Sequence, residues 1–320
     1  MLAMAAARLG LKTHIYSPEE DAPAFQVAAA HTIGAFDDKA ALEKFARQCD
    51  VVTFEFENVP ADCLAGMVPN PATLRITQDR FEEKSFVTSL GLKTAPFRKV
   101  DGPVEGAGIL KTRRFGYDGK GQARVANGRE IADALARFKG APSILEGFVD
   151  FEFEASVIAA RGRDGAFAAY DPPENLHGDH ILRRSTVPSR LTPSQAEEAK
   201  AIARKIADAL GYVGVLAVEL FVTKDGLLVN EIAPRVHNSG HWTLEACVTS
   251  QFEQHIRAVA GWPLGDPWRH SDAVMENLIG DEAADWRTLA AKDGALHLYN
   301  KKDIRAERKI EHVTYLKSRS

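Results

Sequence analysis

Two acidic residues set into one apolar β-ribbon constrain this chain more than any other feature. Residues 213–222 read as a strand, Thr223-Lys224-Asp225-Gly226 as a turn and residues 227–232 as the returning strand. With Lys224-Asp225-Gly226 as a three-residue loop and Gly226 at its positive-φ position, Glu219 falls opposite Glu231. Their Cβ atoms would then stand ~5 Å apart, where like charges destabilise a sheet. Leu216, Val218, Leu228 and Ile232 flank the pair, and partial burial raises the cost further. A divalent cation between the carboxylates removes the conflict. Hard Mg²⁺, or Mn²⁺ in its place, takes carboxylate and substrate-phosphate oxygens, and Asn230 adds another oxygen beside Glu231. The competing reading is a different register, with one glutamate facing solvent.

Other residues point to phosphate. Lys111 sits inside the apolar strand Gly108-Ile109-Leu110-Lys111, a costly place unless it meets an anion. Downstream, Gly116-Tyr117-Asp118-Gly119-Lys120-Gly121-Gln122 can turn successive backbone N–H groups towards phosphate oxygens, with Lys120 adding charge. Arg114 stands where a Walker A loop needs its first glycine, and a plain glycine-rich hairpin turn is the alternative. Strand lysine, glycine loop and paired carboxylates together describe a nucleotide triphosphate site. In Ile144-Leu145-Glu146-Gly147-Phe148-Val149, backbone groups suit a purine edge and the Glu146 carboxylate suits ribose hydroxyls; an ordinary sheet edge fits equally. Residues 233–242, with Arg235, Val236, His237, Asn238, Ser239 and His241, crowd cationic and polar groups before a helix, an environment for an anion. His237 and His241 have zinc-like spacing, but Gly240 intervenes and no third ligand is evident, so a metal there is not expected; His177-Gly178-Asp179-His180 likewise reads as a loop. Lys301, Lys302, Arg305, Arg308 and Lys309 form a basic run that, apart from the strand at residues 296–299 before it, reads as a solvated tail.

The rest of the chain supplies a scaffold. At ~150 residues per domain, 320 residues predict about two domains. Lys+Arg 40 against Asp+Glu 44 gives a net charge of -4, too weak for a nucleic-acid footprint, and no run approaches the ~18 apolar residues of a membrane span. The opening Met1-Leu2-Ala3-Met4 lacks a basic flank or cleavage site, so a cytoplasmic chain is expected, with Cys49, Cys63 and Cys247 as reduced thiols. Helix and strand alternate: helix at 1–9, strand at 12–16, helix at 38–47, strand at 51–56. A second unit starts near Arg80, with a helix at 79–90 and a strand at 109–112. A helix burying Ile131, Leu135 and Phe138 follows, then a strand at 143–149 and a half-exposed strand at 151–160. Thr192-Pro193-Ser194-Gln195 opens a helix ended by Gly211. Residues 241–260 read as one helix carrying Leu244, Val248, Phe252 and Ile256, and residues 295–299 as a strand.

Lys111, the Gly116 to Gln122 loop, Glu146 to Val149, Glu154, Glu219 and Asn230-Glu231 resemble the nucleotide site of ATP-grasp ligases. Three strings narrow the resemblance: Val51-Val52-Thr53-Phe54-Glu55-Phe56-Glu57-Asn58-Val59, Lys111-Thr112-Arg113-Arg114 with the glycine loop, and Asn230 to Trp242 with Glu245-Ala246. They are similar to the N5-carboxyaminoimidazole ribonucleotide synthase family, and the match runs along nearly the whole chain. The resemblance implies an α/β chain, α+β in its central part, with the ATP-grasp fold. A Rossmann-like pre-ATP-grasp domain is expected at residues 1–78, a two-lobed ATP-grasp domain at 79–262 and a small β-rich domain at 263–320. It implies a carbon–nitrogen ligase of purine synthesis. ATP phosphorylates bicarbonate to carboxyphosphate, and the amine of 5-aminoimidazole ribonucleotide captures the carboxyl group.

By motif position, Arg80, Lys111, Lys120, Glu146, Val149, Glu154, His177 and Asn230 would line the ATP site, together with the glycine loop, Gly147, Phe148 and Glu231. Asp118, Arg235, His237 and Lys301 would surround carboxyphosphate; Glu57, Lys301 and Arg308 would hold the ribonucleotide. The usual state of such a ligase is a homodimer. The family pattern opens with a strand and a Gly-Gly-Gly-Gln-Leu-Gly-Arg-Met loop, and residue 1 matches that loop's methionine, so a truncated or misassigned start is expected. Val236, Asn300 and Ile310-Glu311 also depart from the pattern, where proline, glycine and methionine-glycine are usual. Another ATP-grasp carboxylase, a formate-using sister ligase, or a nucleotide-binding remnant without turnover are the alternatives.

Overall fold

The computed structural model describes residues 1–102, 104–116, 120–283, 286–299 and 309–319. In the N-terminal part, α1 (Leu2–Arg8) leads to β1 (His14–Ser17) and β2 (Ala30–Ile33), which pair in parallel. Helix α2 (Lys39–Ala46) starts where the Asp38 side chain accepts the Ala41 N–H, and α3 (Pro71–Thr77) starts at Asn70 in the same way. Leu42, Phe45, Phe54, Val59, Met67 and Leu74 form the core of this part. Residues 51–56, expected as a strand, have no ladder partner among the described residues. Their backbone contact with the next segment is Val68 N–H donating to the Val52 carbonyl at 2.9 Å. Helix α1 packs elsewhere: Leu2, Ala5 and Ala6 share a core with Trp242, Phe252 and Ile256.

A small antiparallel sheet follows α4 (Arg80–Ser89), whose first turn is capped by Asp79. It consists of β3 (Phe97–Val100), β4 (Gly108–Thr112), β5 (Gln122–Val125) and β6 (Ser143–Glu146), in the order β3-β6-β4-β5. Helix α5 (Gly128–Arg137) covers one face with Ile131 and Ala134 against Leu110, Val125 and Leu145.

The remaining strands build one large sheet of nine strands among the described residues. These are β7 (Phe153–Arg161), β8 (Phe167–Ala169), β9 (Glu174–Gly178), β10 (Ile181–Val187), β11 (Gly214–Thr223), β12 (Gly226–Ala233), β13 (Ser271–Ile279), β14 (Gly294–Leu298) and β15 (Lys309–Ser318). The order is β12-β11-β7-β9-β10-β13-β15-β14, with β8 beside β7. Helix α6 (Pro193–Ala209) carries the expected capping box between Thr192 and Gln195, and lays Ala199, Ile202, Ala203 and Ile206 on one face of the sheet. On the other face lie Trp242, α7 (Thr243–Ala246) and α8 (Gln251–Val259); α9 (Trp286–Ala290) follows β13. Two expectations change here. Strand β7 is buried along most of its length because it sits between β11 and β9 with cores on both sides. The single helix at 241–260 is broken, since Cys247 is extended and bridges Arg269, Val248 N–H donates to the Trp268 carbonyl, and Ser250 caps a new helix. No helix of the described residues is long and apolar enough to cross a membrane.

Candidate active site

The β11–β12 ribbon does place Glu219 directly opposite Glu231, but by a route the spacing did not reveal. Pairing resumes at Thr223↔Gly226, one residue earlier than a three-residue loop requires, with Gly226 at φ +111°. The register then slips between Glu219 and Leu220, leaving Asn230 as the extra residue of a β-bulge. Ordinary alternation would send Asn230 and Glu231 to opposite faces. The bulge instead lets both line the same cleft as Glu219, and the Asn230 amide donates to Glu219 Oε2 at 3.5 Å. Two carboxylates and an amide converge, an oxygen-rich donor set that fits a hard divalent cation.

Cations on the neighbouring elements divide the charge of this pair unevenly. Arg80 Nη1 donates to Glu231 Oε2 at 3.0 Å, while Nη2 donates to the Gly116 carbonyl at 3.2 Å and so ties the glycine loop to the ribbon. Withdrawal from water acts to raise the Glu231 pKa, but Arg80 above all, with Lys111, outweighs it and holds the carboxyl down to about 2. Glu219 lacks such an arginine contact; burial and the facing Glu231 push it up to about 7. Beneath the ribbon, Glu83 accepts the Ile232 N–H at 2.6 Å, and burial together with Glu231 raises it to about 8. Lys84, 1% exposed, reaches the Asn230 carbonyl and Thr94 Oγ1, each at 3.2 Å, and stands 3.4 Å from Glu146 Oε1. Lys111 does meet an anion: its Nζ donates to Glu146 Oε2 at 2.8 Å. Although burial opposes it, these two lysines keep the Glu146 carboxyl below its ordinary value.

That last contact corrects one role. The Glu146 carboxylate is 3% exposed and committed to Lys111 and Lys84, so it does not face the cleft to accept ribose hydroxyls. Gly147, Phe148 and Val149 continue beyond β6, with the Arg124 guanidinium 4.1 Å above the Phe148 ring. Phe151, stacked on Phe221 at 4.8 Å, lines the cleft. Neither ring was singled out from the sequence, because a lone aromatic residue in or beside a strand reads simply as packing. Glu83 and Lys84 were missed for a related reason: in a helix of alternating charge they resemble a solvated face.

Facing the ribbon, Glu154 and His177 come together on β7 and β9, with Nδ1 2.6 Å from Oε2. The 233–242 loop delivers Arg235, whose Nη2 donates to Glu57 Oε1 at 2.7 Å, and His237, whose Nε2 lies 3.4 Å from Glu219 Oε1. The cleft thus unites Glu57, Arg80, Lys111, Gly116, Lys120, Gln122, Glu154, His177, Glu219, Asn230, Glu231, Arg235 and His237. Gly121 sits in the left-handed region at φ +70°, where an added Cβ would lie 2.5 Å from Thr112 Oγ1. The loop does join β4 to β5 as a hairpin, and it borders the cleft as well. Tyr117, Asp118, Gly119, Asn300, Lys301 and Arg308 lie outside the described residues.

His237 and His241 engage different partners, Ser239 Oγ at 2.9 Å and Tyr299 OH at 3.3 Å. Near His241, Glu245, His297 and His312 bring ligand-type atoms within 4.8 Å of one another. The His297 and His312 rings are stacked 4.4 Å apart at 5°. Lone pairs in parallel ring planes cannot meet at one ion, so this cluster fits hydrogen bonding, as in the 2.7 Å contact of His297 with Glu245.

Comparison with known proteins agrees along the whole chain. Residues 1–78 match a ribonucleotide synthetase preATP-grasp domain, 86–252 an ATP-grasp domain and 273–320 a phosphoribosylaminoimidazole carboxylase C-terminal domain. The N5-carboxyaminoimidazole ribonucleotide synthase of Brucella melitensis biotype 1 is 55% identical, over 100% of this chain and 94% of its own length. That of Bacillus subtilis is 40% identical, over 99% and 88%. A crystal structure of an N5-carboxyaminoimidazole ribonucleotide synthetase with ADP superposes with a TM-score of 0.93 at 38% identity, covering 99% of this chain and 89% of that one. The Aspergillus clavatus enzyme in complex with ADP and 5-aminoimidazole ribonucleotide superposes at 0.91 with 28% identity, covering 99% and 90%. The chain therefore belongs to the N5-carboxyaminoimidazole ribonucleotide synthase family of ATP-grasp ligases.

Proposed function

We propose that the chain uses ATP and bicarbonate to carboxylate the amine of 5-aminoimidazole ribonucleotide, forming N5-carboxyaminoimidazole ribonucleotide for purine (IMP) synthesis. A bicarbonate oxygen takes the γ-phosphoryl group of ATP and ADP leaves. The amine nitrogen then attacks the carbonyl carbon of carboxyphosphate, phosphate departs and the nitrogen loses a proton. The observation that carries this reading is the bulged ribbon, which sets Glu219, Asn230 and Glu231 on the cleft side within reach of Arg80 and His237. Mg²⁺ held by Glu219 and Glu231, with Asn230 beside them, would neutralise charge on the transferring phosphoryl group. Arg80, Lys111, Lys120, the remainder of the glycine loop, Glu154 and His177 bind the nucleotide; Arg235 and His237, with Asp118 and Lys301, hold carboxyphosphate. Glu57 and Arg308 hold the ribonucleotide. The working form is a homodimer in the cytoplasm.

The test is phosphate release and product formation with ATP, Mg²⁺ and bicarbonate, with and without 5-aminoimidazole ribonucleotide. Release that rises with the ribonucleotide supports the reading. ATP binding with no such rise would make the chain a remnant, and formate-dependent turnover of a glycinamide nucleotide would assign it to the sister ligases.

A further inference from the structure

Beneath the cleft, a row of buried polar side chains crosses three adjacent strands of the large sheet and ends on His237. Ser185 on β10 lies opposite Asn175 on β9, Ser156 on β7 sits diagonally from Asn175, two residues past that residue's partner Glu154, and Ser239 comes two residues after His237 in the loop above. Ser156, Ser185 and Ser239 are 0% exposed and Asn175 is 5% exposed. Each hydrogen bond here must therefore point the right way, since a misdirected donor would be buried without a partner.

One end of the row sets its direction. The Ser239 backbone N–H donates to His237 Nδ1 at 3.3 Å, and a backbone N–H can only donate, so Nδ1 carries a lone pair. Ser239 Oγ, 2.9 Å from the same nitrogen, must then donate to it as well. That leaves Ser239 Oγ to accept from Ser156 Oγ at 2.7 Å. Ser156 Oγ accepts from Asn175 Nδ2 at 2.9 Å, and Asn175 Oδ1 accepts from Ser185 Oγ at 2.7 Å. Every donor points towards the imidazole. Gln251 fixes the backbone beneath it, accepting the His237 N–H at 2.9 Å and donating to the His237 carbonyl at 2.7 Å.

We propose that this relay locks His237 with its proton on Nε2, making it a fixed hydrogen-bond donor to the anion in the cleft and not a base, with Ser156, Asn175 and Ser185 as positioning residues. The role towards an anion rests on the carboxyphosphate reading above. Nε2 lies 3.4 Å from Glu219 Oε1, on the cleft side of the ring, where a substrate oxygen can take its N–H. A ring in this state has no lone pair on the cleft side. The proton lost by the amine must leave through another group.

The experiment uses the full chain with ¹⁵N-labelled histidine, read by NMR at about pH 8, where imidazoles are mostly neutral. The His237 signals are assigned by their loss in His237→Gln. An unprotonated Nδ1 and protonated Nε2 are expected. A proton on Nδ1, on both nitrogens, or a mixture of tautomers overturns the proposal. Asn175→Asp then reverses the relay at nearly constant shape, because a carboxylate only accepts and draws the Ser156 and Ser185 hydroxyls to itself. A mixed tautomer is expected there, with carboxylation slowed about tenfold while KM for ATP is unchanged. Should the buried charge unfold the chain, Ser156→Ala cuts the relay without adding charge, and the same two changes are expected in smaller degree. An unaltered tautomer and rate in a folded variant would remove the relay from the reaction. The tautomer is read without substrate, so a chain with Nε2–H that fails to carboxylate sinks the substrate reading alone.

Discussion

Glu219, Glu231 and Glu83 are the same side chain in three electrostatic settings, and their differences arise from the groups within reach of each. Glu231 stays ionised because Arg80 contacts it directly; Glu219 and Glu83 face it without that help. Glu231→Gln keeps the shape but removes the charge that Arg80 and a cation both require. ATP turnover should fall on the order of 10²–10³-fold with the thermal unfolding profile retained, and Mg²⁺-dependent turnover at the normal rate would reject the metal assignment. Glu83 supplies a pH test. Its folded pKa of about 8 lies above the ordinary carboxyl value of 4.5, so the folded chain binds the extra proton between those limits. Stability from this group is therefore complete below about pH 4.5 and is lost as pH rises through 8. Glu83→Gln mimics the protonated acid and can still accept the Ile232 N–H. Its Tm should exceed the parent's by a smaller margin near pH 6 than near pH 9; an equal gap at both values would show that Glu83 is ionised throughout.

At the level of elements, the chain followed its local signals where side chains act on their own neighbours and departed from them where a distant strand competed. The capping box at Thr192, the helix beginning near Asp79 and the strand around Lys111 were all legible, because each depends on residues within a turn or two. The Glu219–Glu231 pairing was legible too, but the bulge at Asn230 was not, since a slip of one residue leaves the same pair opposed. Nor does spacing show that Lys111 faces a glutamate 35 residues onward, as that contact exists only once β4 and β6 are paired. The break within residues 241–260 is the clearest case. A periodic apolar face predicts Val248 inside, yet the segment leaves the helix to bond with residues 266–269 and Val248 is 59% exposed. Phe252, after the break, is fully buried. Val248→Ser should thus change stability by no more than about 0.5 kcal/mol, whereas Phe252→Ala should cost about 3–5 kcal/mol. Denaturant titration of both variants checks this, and comparable losses would restore the continuous helix.

For the whole molecule, the cleft is a meeting of parts remote in sequence. Glu57 comes from the N-terminal part, Lys111 from the small sheet, and Glu219 with Arg235 from the large sheet and the loop that follows it. The N-terminal part is held in place by Arg235–Glu57, by Thr53 Oγ1 against His255 Nε2 at 2.8 Å and by Asn70 donating to the Leu210 carbonyl at 3.2 Å. Burial works against the Arg235 charge, but Glu57 more than restores it, so the pair is mutually dependent. If nucleotide and amine substrate enter from different parts, each part should control its own Michaelis constant. Lys111→Ala is expected to raise KM for ATP with little change for the ribonucleotide. Glu57→Gln keeps a hydrogen-bond acceptor for Arg235 but loses the charge, and should raise KM for the ribonucleotide roughly tenfold while KM for ATP holds. Initial-rate measurements varying one substrate at a time separate these effects. The decisive comparison is the double variant: if the two residues serve separate subsites, their effects multiply, because distant sites without shared partners add in free energy. A Glu57→Gln chain with a raised KM for ATP, or a double variant no worse than either single one, would mean that the N-terminal part acts on the nucleotide and that the division of the cleft drawn here is wrong.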